Sequence, residues 1–353
     1  MNQRTKPIGY GIVGVGIWGE MHARLLSKEP QVDLRMVCDL NENRAREVAE
    51  KYSVPAWCTS YEELLQDEQI ETVSITTPDF AHAAPAIAAA KSGRHLLVEK
   101  PLATDLEECL GIIKAAKEAG VILMVDFHNR WSPPFHKAKQ CLDEGELGDL
   151  KYAYFRLNDA IVVPQYFPWT SKSSVLWFLG PHSIDTMRWL FQDEVGKVYA
   201  VRRKDVLVSM GINTPDFYTL LLQFEGGGVA NLEHSWIVSK NNPSIFELKC
   251  ELMASRGTVY IDTSTNRMME IYTDVIPDGY IRSHLPDMTL SPVIHGRQLG
   301  FAMESIRHFV DCVYYGKQPI VNGVDGLRVT EVILAAEKSA ELDCPVEVER
   351  HAV

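Results

Sequence analysis

What the chain lacks narrows its class quickly. No run of basic residues interrupts an acidic surplus of 47 Asp and Glu over 35 Lys and Arg, a formal net charge of −12. The sequence therefore offers no positive stripe able to follow a phosphate backbone, and nucleic acid is not an expected partner. No apolar run approaches the roughly 18–20 residues that cross a bilayer, and the opening Met-Asn-Gln-Arg-Thr-Lys-Pro does not read as a secretory leader. The expectation is a cytoplasmic protein that stays off membranes. Cysteine is sparse and scattered: Cys38, Cys58, Cys109, Cys141, Cys250, Cys312 and Cys344 form no C-x-x-C pair. Neither a disulfide framework nor a zinc or dithiol site is expected, and no metal is implied.

What is present is a globular composition, 46% hydrophobic and 23% charged over 353 residues. That length exceeds the roughly 250–300 residues one core supports, so two domains are expected, residues 1–126 and 127–353. In the first, short apolar runs (Gly9–Val13, Asp33–Cys38, Thr72–Thr76, His95–Val98, Ile122–Val125) alternate with amphipathic segments (Glu42–Lys51, Ala81–Ser92, Leu106–Ala119). This βαβ rhythm predicts a doubly wound parallel sheet.

After Pro133-Pro134 and a helix ending near Gly145 the rhythm changes to longer strands at Leu150–Asn158, Val198–Val208, Phe217–Phe224, Val229–Ile237, Phe246–Ala254 and Thr258–Asp262. Glu225-Gly226-Gly227-Gly228 and Ser255-Arg256-Gly257 read as hairpin turns, so the second domain is expected to be α+β with a large, mostly antiparallel open sheet. Helices at Phe301–Tyr315 and Asp325–Glu341 and a strand at Pro345–Val348 complete it. A sheet with helices on one face leaves the other needing cover, which predicts a homo-oligomer, a dimer or tetramer, built through that sheet. The weakly patterned stretch Val275–Gly300 is long enough to suggest a functional or interfacial loop.

The first strand runs into Gly14-Val15-Gly16-Ile17-Trp18-Gly19 and then a helical segment. In that setting Gly14 allows the tight turn, Gly16 lets backbone N–H groups reach a pyrophosphate, and Gly19 lets helix and strand approach closely. A second strand ends at Asp39, about 20 residues further on, where a carboxylate accepts ribose hydroxyls and repels a 2′-phosphate. A dinucleotide is the expected ligand, NAD rather than NADP. Arg44 and Arg46, in the next helix, are the counter-indication. Cofactor contacts are expected from the glycine loop with Ile17 and Trp18, from Asp39 and Arg44, from Thr76, Thr77, Pro78 and His82 after the third strand, and from Glu99 and Lys100 after the fourth. A lysine at a strand end is ordinarily a solvated surface residue, so position alone does not make Lys100 catalytic. His182 and Asp185 in Gly180-Pro181-His182-Ser183-Ile184-Asp185 are three apart and share a helix face, which lets the carboxylate orient the imidazole, although a packing histidine is the plainer reading.

Together these residues resemble the glucose–fructose oxidoreductase / inositol dehydrogenase / rhizopine catabolism (Gfo/Idh/MocA) family along nearly the whole chain, with Arg130, Gly257-Thr258-Val259, Pro319 to Gly323, Asp325-Gly326, Ala336 and Ser339 continuing the match. The resemblance implies a Rossmann N-terminal domain with an α+β C-terminal domain. It implies an NAD(P)-dependent enzyme that oxidises a secondary hydroxyl of a sugar, glycoside or inositol-like polyol, with Lys100 as catalytic lysine polarising the reacting oxygen and His182 as catalytic acid/base. An NAD-retaining glycosidase acting by transient oxidation and elimination, and a non-catalytic dinucleotide or sugar sensor, are the alternatives on the same scaffold. One departure stands out: the family places an aspartate four residues before the histidine, where this chain has Phe178. Expected substrate contacts are Lys100, His128, Arg130, Trp169, Trp177, Phe178, Asp185 and His182. For the two tryptophans, stacking on a sugar face competes with core packing.

Overall fold

The computed structural model describes residues 4–167, 169–242, 244–264 and 289–353. The chain forms two compact units. The first comprises the residues up to His128 with Thr289–Thr330 and Ala352–Val353, and the second comprises the residues from Asn129 with Glu331–His351. Thr289–Thr330, placed by the sequence in the second domain, packs with the first unit. Part of the reason is steric: a Cβ added at Gly323 would lie 2.6 Å from Leu123 Cδ2, and one at Gly326 would lie 2.7 Å from Leu102 Cβ. Only glycine lets the late helix seat this closely.

In the first unit, β1 (Ile8–Val13), α1 (Ile17–Leu26), β2 (Val32–Cys38), α2 (Glu42–Tyr52), β3 (Ala56–Cys58), α3 (Tyr61–Leu64), β4 (Thr72–Ile75), α4 (Ala83–Lys91), β5 (His95–Val98), α5 (Leu106–Ala119) and β6 (Leu123–Val125) follow in order. The strands form one parallel sheet ordered β3-β2-β1-β4-β5-β6. Its order reverses between β1 and β4, so the carboxyl ends of these two strands open the crevice in which such sheets bind ligands. Helix boundaries follow local chemistry. The Asn41 side chain caps α2 at Arg44 N, the Asp105 side chain caps α5 at Glu108 N, and Gly120, at φ 66°, ends α5. β3 and α3 escaped the sequence reading because elements of three and four residues show no usable period.

The second unit begins with α6 (Pro133–Asp143), β7 (Leu150–Ala160), α7 (Val162–Tyr166) and α8 (Val175–Phe191). Then come β8 (Val195–Arg203), α9 (Val206–Ser209), β9 (Phe217–Phe224), β10 (Val229–Val238), β11 (Phe246–Ala254) and β12 (Thr258–Asp262). The expected strand Val198–Val208 is corrected here. It stops at Arg203, and the Asp216 carboxylate accepts hydrogen bonds from the N–H groups of Asp205, Val206 and Leu207 at 2.8–2.9 Å, turning the following residues into the short helix α9. Such capture of free N–H groups favours a helix start over a continuing strand.

The chain closes with β13 (Val293–Ile294) and β14 (Arg297–Gln298), a two-residue hairpin turning at His295 and Gly296 (φ 49° and 73°), then α10 (Phe301–Tyr315), α11 (Gly323–Leu342) and β15 (Val346–Glu347). Within the Val275–Gly300 stretch, residues 275–288 lie outside the described residues. The second sheet is ordered β12-β11-β7-β10-β9-β8-β15, and every pairing is antiparallel except β7 with β10. β9 alternates outward and buried residues along its length. Leu220 and Leu222 face inward, on the side where α8 packs, while Leu221 is exposed. Among the described residues no helix is long and apolar enough to cross a membrane.

Candidate active site

The glycine loop after β1 is shaped by three different demands. Gly14 has φ +88°, and a Cβ there would lie 2.8 Å from Thr77 N. A Cβ at Gly19 would fall 1.9 Å from the Gly14 carbonyl oxygen. Gly16 differs: a Cβ would meet nothing within 4 Å, so no contact inside the chain requires glycine there. The open approach is the one a dinucleotide pyrophosphate needs in order to reach the N-terminus of α1. The residues present therefore fit NAD.

Asp39 is half-buried, and its Oδ2 accepts the Val15 N–H at 2.9 Å while Oδ1 accepts the Asn41 N–H at 2.9 Å. The carboxylate expected at the ribose thus also ties the glycine loop to the end of β2. Arg44 donates from Nε to the Val15 carbonyl at 2.8 Å and pairs with Glu20. Glu20 also accepts Lys51 and Tyr52, each at 2.7 Å. Burial alone would raise the Glu20 pKa, but the hydrogen bonds from Lys51, Tyr52 and Arg44 hold it at about 2. The Arg44 charge is thereby compensated within the protein, and Arg46 is exposed and donates to Asn43 at 2.8 Å. The counter-indication to NAD is weakened accordingly.

At the ends of β4 and β5 the polar groups are packed inward. The Thr76 hydroxyl donates to the Val13 carbonyl at 3.2 Å and to the Gly14 carbonyl, and Thr77 Oγ1 donates to the Ala81 carbonyl at 3.0 Å. His82, expected at the cofactor, is fully buried, with Nδ1 2.7 Å from the Pro101 carbonyl and Nε2 2.9 Å from the Thr77 carbonyl. Burial lowers its pKa, with the carbonyls and nearby carboxylates opposing. Both partners are carbonyl oxygens, so a neutral ring donates to one of them at a time, and only a protonated ring would hold both segments at once. Lys100 is only 8% exposed. The reading of a solvated surface lysine is thus set aside, since lysine is rarely so buried without a specific task.

Glu99, expected at the cofactor, is buried in a polar group with His22 and Asp126, two residues the sequence did not single out. His22 Nε2 stands 3.5 Å from Glu99 Oε1, and among the described residues these atoms and Asp126 Oδ1 are buried with no hydrogen-bond partner. One donor atom from each of the three lies within 4.8 Å of the others, a spacing that could admit a small cation. Asp126 is raised well above its usual value, first by burial and then by the Glu99 charge. Glu99 is lowered, its burial outweighed by His22 and Lys100. The two carboxyls are thus pushed in opposite directions, as like charges at close range require. The available signal was Asp126 itself, an acid at the carboxyl end of a parallel strand. His128, an expected substrate contact, is 6% exposed, with its ring 5.6 Å from Trp18 and 5.8 Å from Phe301. Burial pulls its pKa down to about 4, leaving it neutral near pH 7.

In the second unit α8 carries His182 and Asp185. The helix starts where Ser174 Oγ accepts the Trp177 N–H at 3.3 Å, and it runs through Pro181. His182 is half-buried, whereas Asp185 is fully buried. Both Asp185 oxygens accept from Arg130, at 2.9 Å from Nε and 2.6 Å from the terminal nitrogen. The two residues expected at the substrate are thus brought together as a buried ion pair. The His182 carbonyl accepts the Thr186 hydroxyl at 2.6 Å, and Asn129 donates to Thr186 Oγ1 at 3.3 Å. Trp177 is 6% exposed and donates from its indole to Glu337 at 3.0 Å. This geometry favours packing over stacking for Trp177. Trp169 and Phe178 instead remain half-buried, their ring centroids 6.0 Å apart.

Comparison with known proteins agrees with this architecture. Residues 8–127 match the GFO/IDH/MocA oxidoreductase domain, an NAD-binding Rossmann fold, and residues 135–260 match the GFO/IDH/MocA C-terminal domain. The chain is 28% identical to the scyllo-inositol 2-dehydrogenase (NAD(+)) of Bacillus subtilis, covering 96% of this chain and 95% of that protein. It is 30% identical to the inositol 2-dehydrogenase of Salmonella typhimurium, over 76% of this chain and 79% of that one. The crystal structure of GenD2 from gentamicin A biosynthesis, in complex with NAD, superposes with a TM-score of 0.84 at 25% identity, covering 98% of this chain and 97% of that chain. The glycine loop, Asp39 and both domain matches lead to one assignment: this chain belongs to the GFO/IDH/MocA family of NAD-binding oxidoreductases.

Proposed function

We propose that the protein is an NAD-dependent dehydrogenase that oxidises a secondary hydroxyl of a ring polyol or sugar derivative. The observation that carries this reading is the buried lysine: Lys100, at 8% exposure, follows β5 at the ligand-binding edge of an NAD-binding sheet. The inositol dehydrogenases among its relatives supply the substrate class. Gly14, Gly16, Gly19 and Asp39 would hold the cofactor. Bound NAD supplies the hydride acceptor. Lys100 donates a hydrogen bond to the reacting oxygen and stabilises the charge that develops on it, while His182 accepts the hydroxyl proton as general base. In the reductive direction His182 returns that proton.

The test is a screen of inositols, sugars and glycosides with NAD, following absorbance of the reduced cofactor, with wild type, Lys100→Ala and His182→Ala. Each variant is expected to lose at least ~10² in turnover while still binding NAD. Near-normal turnover in both, or aglycone release without net reduced cofactor, would refute the mechanism.

We also propose that the open face of the second sheet is an assembly surface. Leu221, Met253 and Tyr260 are 39%, 41% and 73% exposed there, an apolar content that water disfavours. Sedimentation showing only monomer would overturn it.

A further inference from the structure

Phe178 lies one helical turn before His182 on α8, so the two side chains share a face. Around Phe178 the second unit gathers further aromatic rings: Trp236 at 5.7 Å, Trp169 at 6.0 Å and Phe167 at 6.1 Å between centroids. Phe167 in turn meets Trp169 at 5.3 Å and Tyr166 at 5.4 Å. The group grades from interior to surface. Trp236 is fully buried, Phe178, Phe167 and Trp169 are half-buried, and Tyr166 is 54% exposed. The segment bearing three of the rings is held in place, since the Thr170 hydroxyl contacts the carbonyls of Pro164 and Phe167, both at 2.8 Å, and Thr214 Oγ1 donates to the Ser173 carbonyl at 2.9 Å. Core packing accounts for Trp236 but not for four neighbouring rings that stay accessible beside a half-buried histidine. A hydroxyl placed against the Phe178 ring loses hydration without gaining a hydrogen bond from that ring, whereas an aromatic ring gains tilted and offset contacts at these separations.

We propose that this site selects a cyclic polyol bearing an aromatic substituent, of the aryl glycoside class, over an evenly hydroxylated ring, with Phe178 and Trp169 as the residues that determine that preference. The proposal rests on the dehydrogenase reading for the identity of the site, but its test does not depend on turnover.

Binding of phenyl and methyl glycosides of glucose, galactose and mannose, and of myo- and scyllo-inositol, is measured by calorimetry on the full chain with NAD present. Reduction of NAD is followed separately. Wild type is expected to bind at least one phenyl glycoside tenfold or more tighter than its methyl partner and than either inositol. Phe178→Asp and Trp169→Ala should each remove most of that ratio, and Phe178→Tyr should retain it. Unchanged NAD affinity and melting temperature identify variants that have folded, and Trp169→Ala decides the matter if Phe178→Asp does not fold. Equal binding of phenyl and methyl partners, an inositol binding best, no binding of any probe, or an unchanged ratio in the folded variants would overturn the inference. Preferential phenyl binding without any NAD reduction would support it while refuting the dehydrogenase reading.

Discussion

Substituting Asp185 should unsettle the second unit more than any change near it. The carboxylate is fully buried, and its two oxygens are held by an Arg130 guanidinium that is 8% exposed. Asp185→Leu takes the carboxylate away from a buried guanidinium and sets an apolar group against it, a loss of about 3–5 kcal/mol for a broken buried pair. At about 2.1 cal/mol/K of unfolding entropy per residue over 353 residues, that corresponds to a melting temperature lower by about 4–7 °C. Arg130→Leu should cost less, because Arg188 stands 3.9 Å from Asp185 and retains part of the compensation. The double variant Arg130→Leu/Asp185→Leu removes both charges and replaces them with apolar volume, so it should be more stable than Asp185→Leu alone. Thermal melts and urea titrations of the four proteins measure the cycle. If Asp185→Leu melts within about 2 °C of wild type, or if the double variant loses the sum of the two singles, the pair is not the buried, mutually dependent unit described here.

Gly16→Val should weaken NAD binding at least tenfold with little change in melting temperature, while Gly19→Ala, whose Cβ would sit 1.9 Å from the Gly14 carbonyl oxygen, should destabilise the first unit. Calorimetry paired with melts separates the two, and equal behaviour would contradict the different demands on the two glycines. Asp126 has its folded pKa raised above the usual 3.8, so it withholds stability as pH rises above that value. Asp126→Asn should therefore raise the urea midpoint at neutral pH and lose the advantage below 3.8; no gain at neutral pH would argue against the raised pKa. Glu20 has its pKa lowered from 4.5 to about 2, so its contribution is present above 4.5 and is lost as pH falls toward 2. Glu20→Gln should flatten the acid limb of the stability profile in that window, and an unaltered limb would refute the assignment.

The sequence by itself determined the doubly wound domain, the glycine loop, Asp39 and the mostly antiparallel second sheet. Each is a local pattern: a period of two or 3.6, a glycine spacing, a polar residue at a strand end. Helix α5 and strands β5, β9, β11 and β12 lie where their patterns placed them, because capping residues and turn residues mark their ends within a few positions. The tertiary structure alone decided which polar side chains meet. Asp185 lies three residues from His182, yet both its oxygens go to Arg130, 55 positions away. His22, Glu99 and Asp126 come from one helix and two strand ends to form one buried polar group. The rings around Phe178 gather from α8, β10 and the segment after β7. No spacing announces such encounters, because burial creates them: once water is excluded, each charge and ring must find its partner among whatever residues the fold has brought alongside.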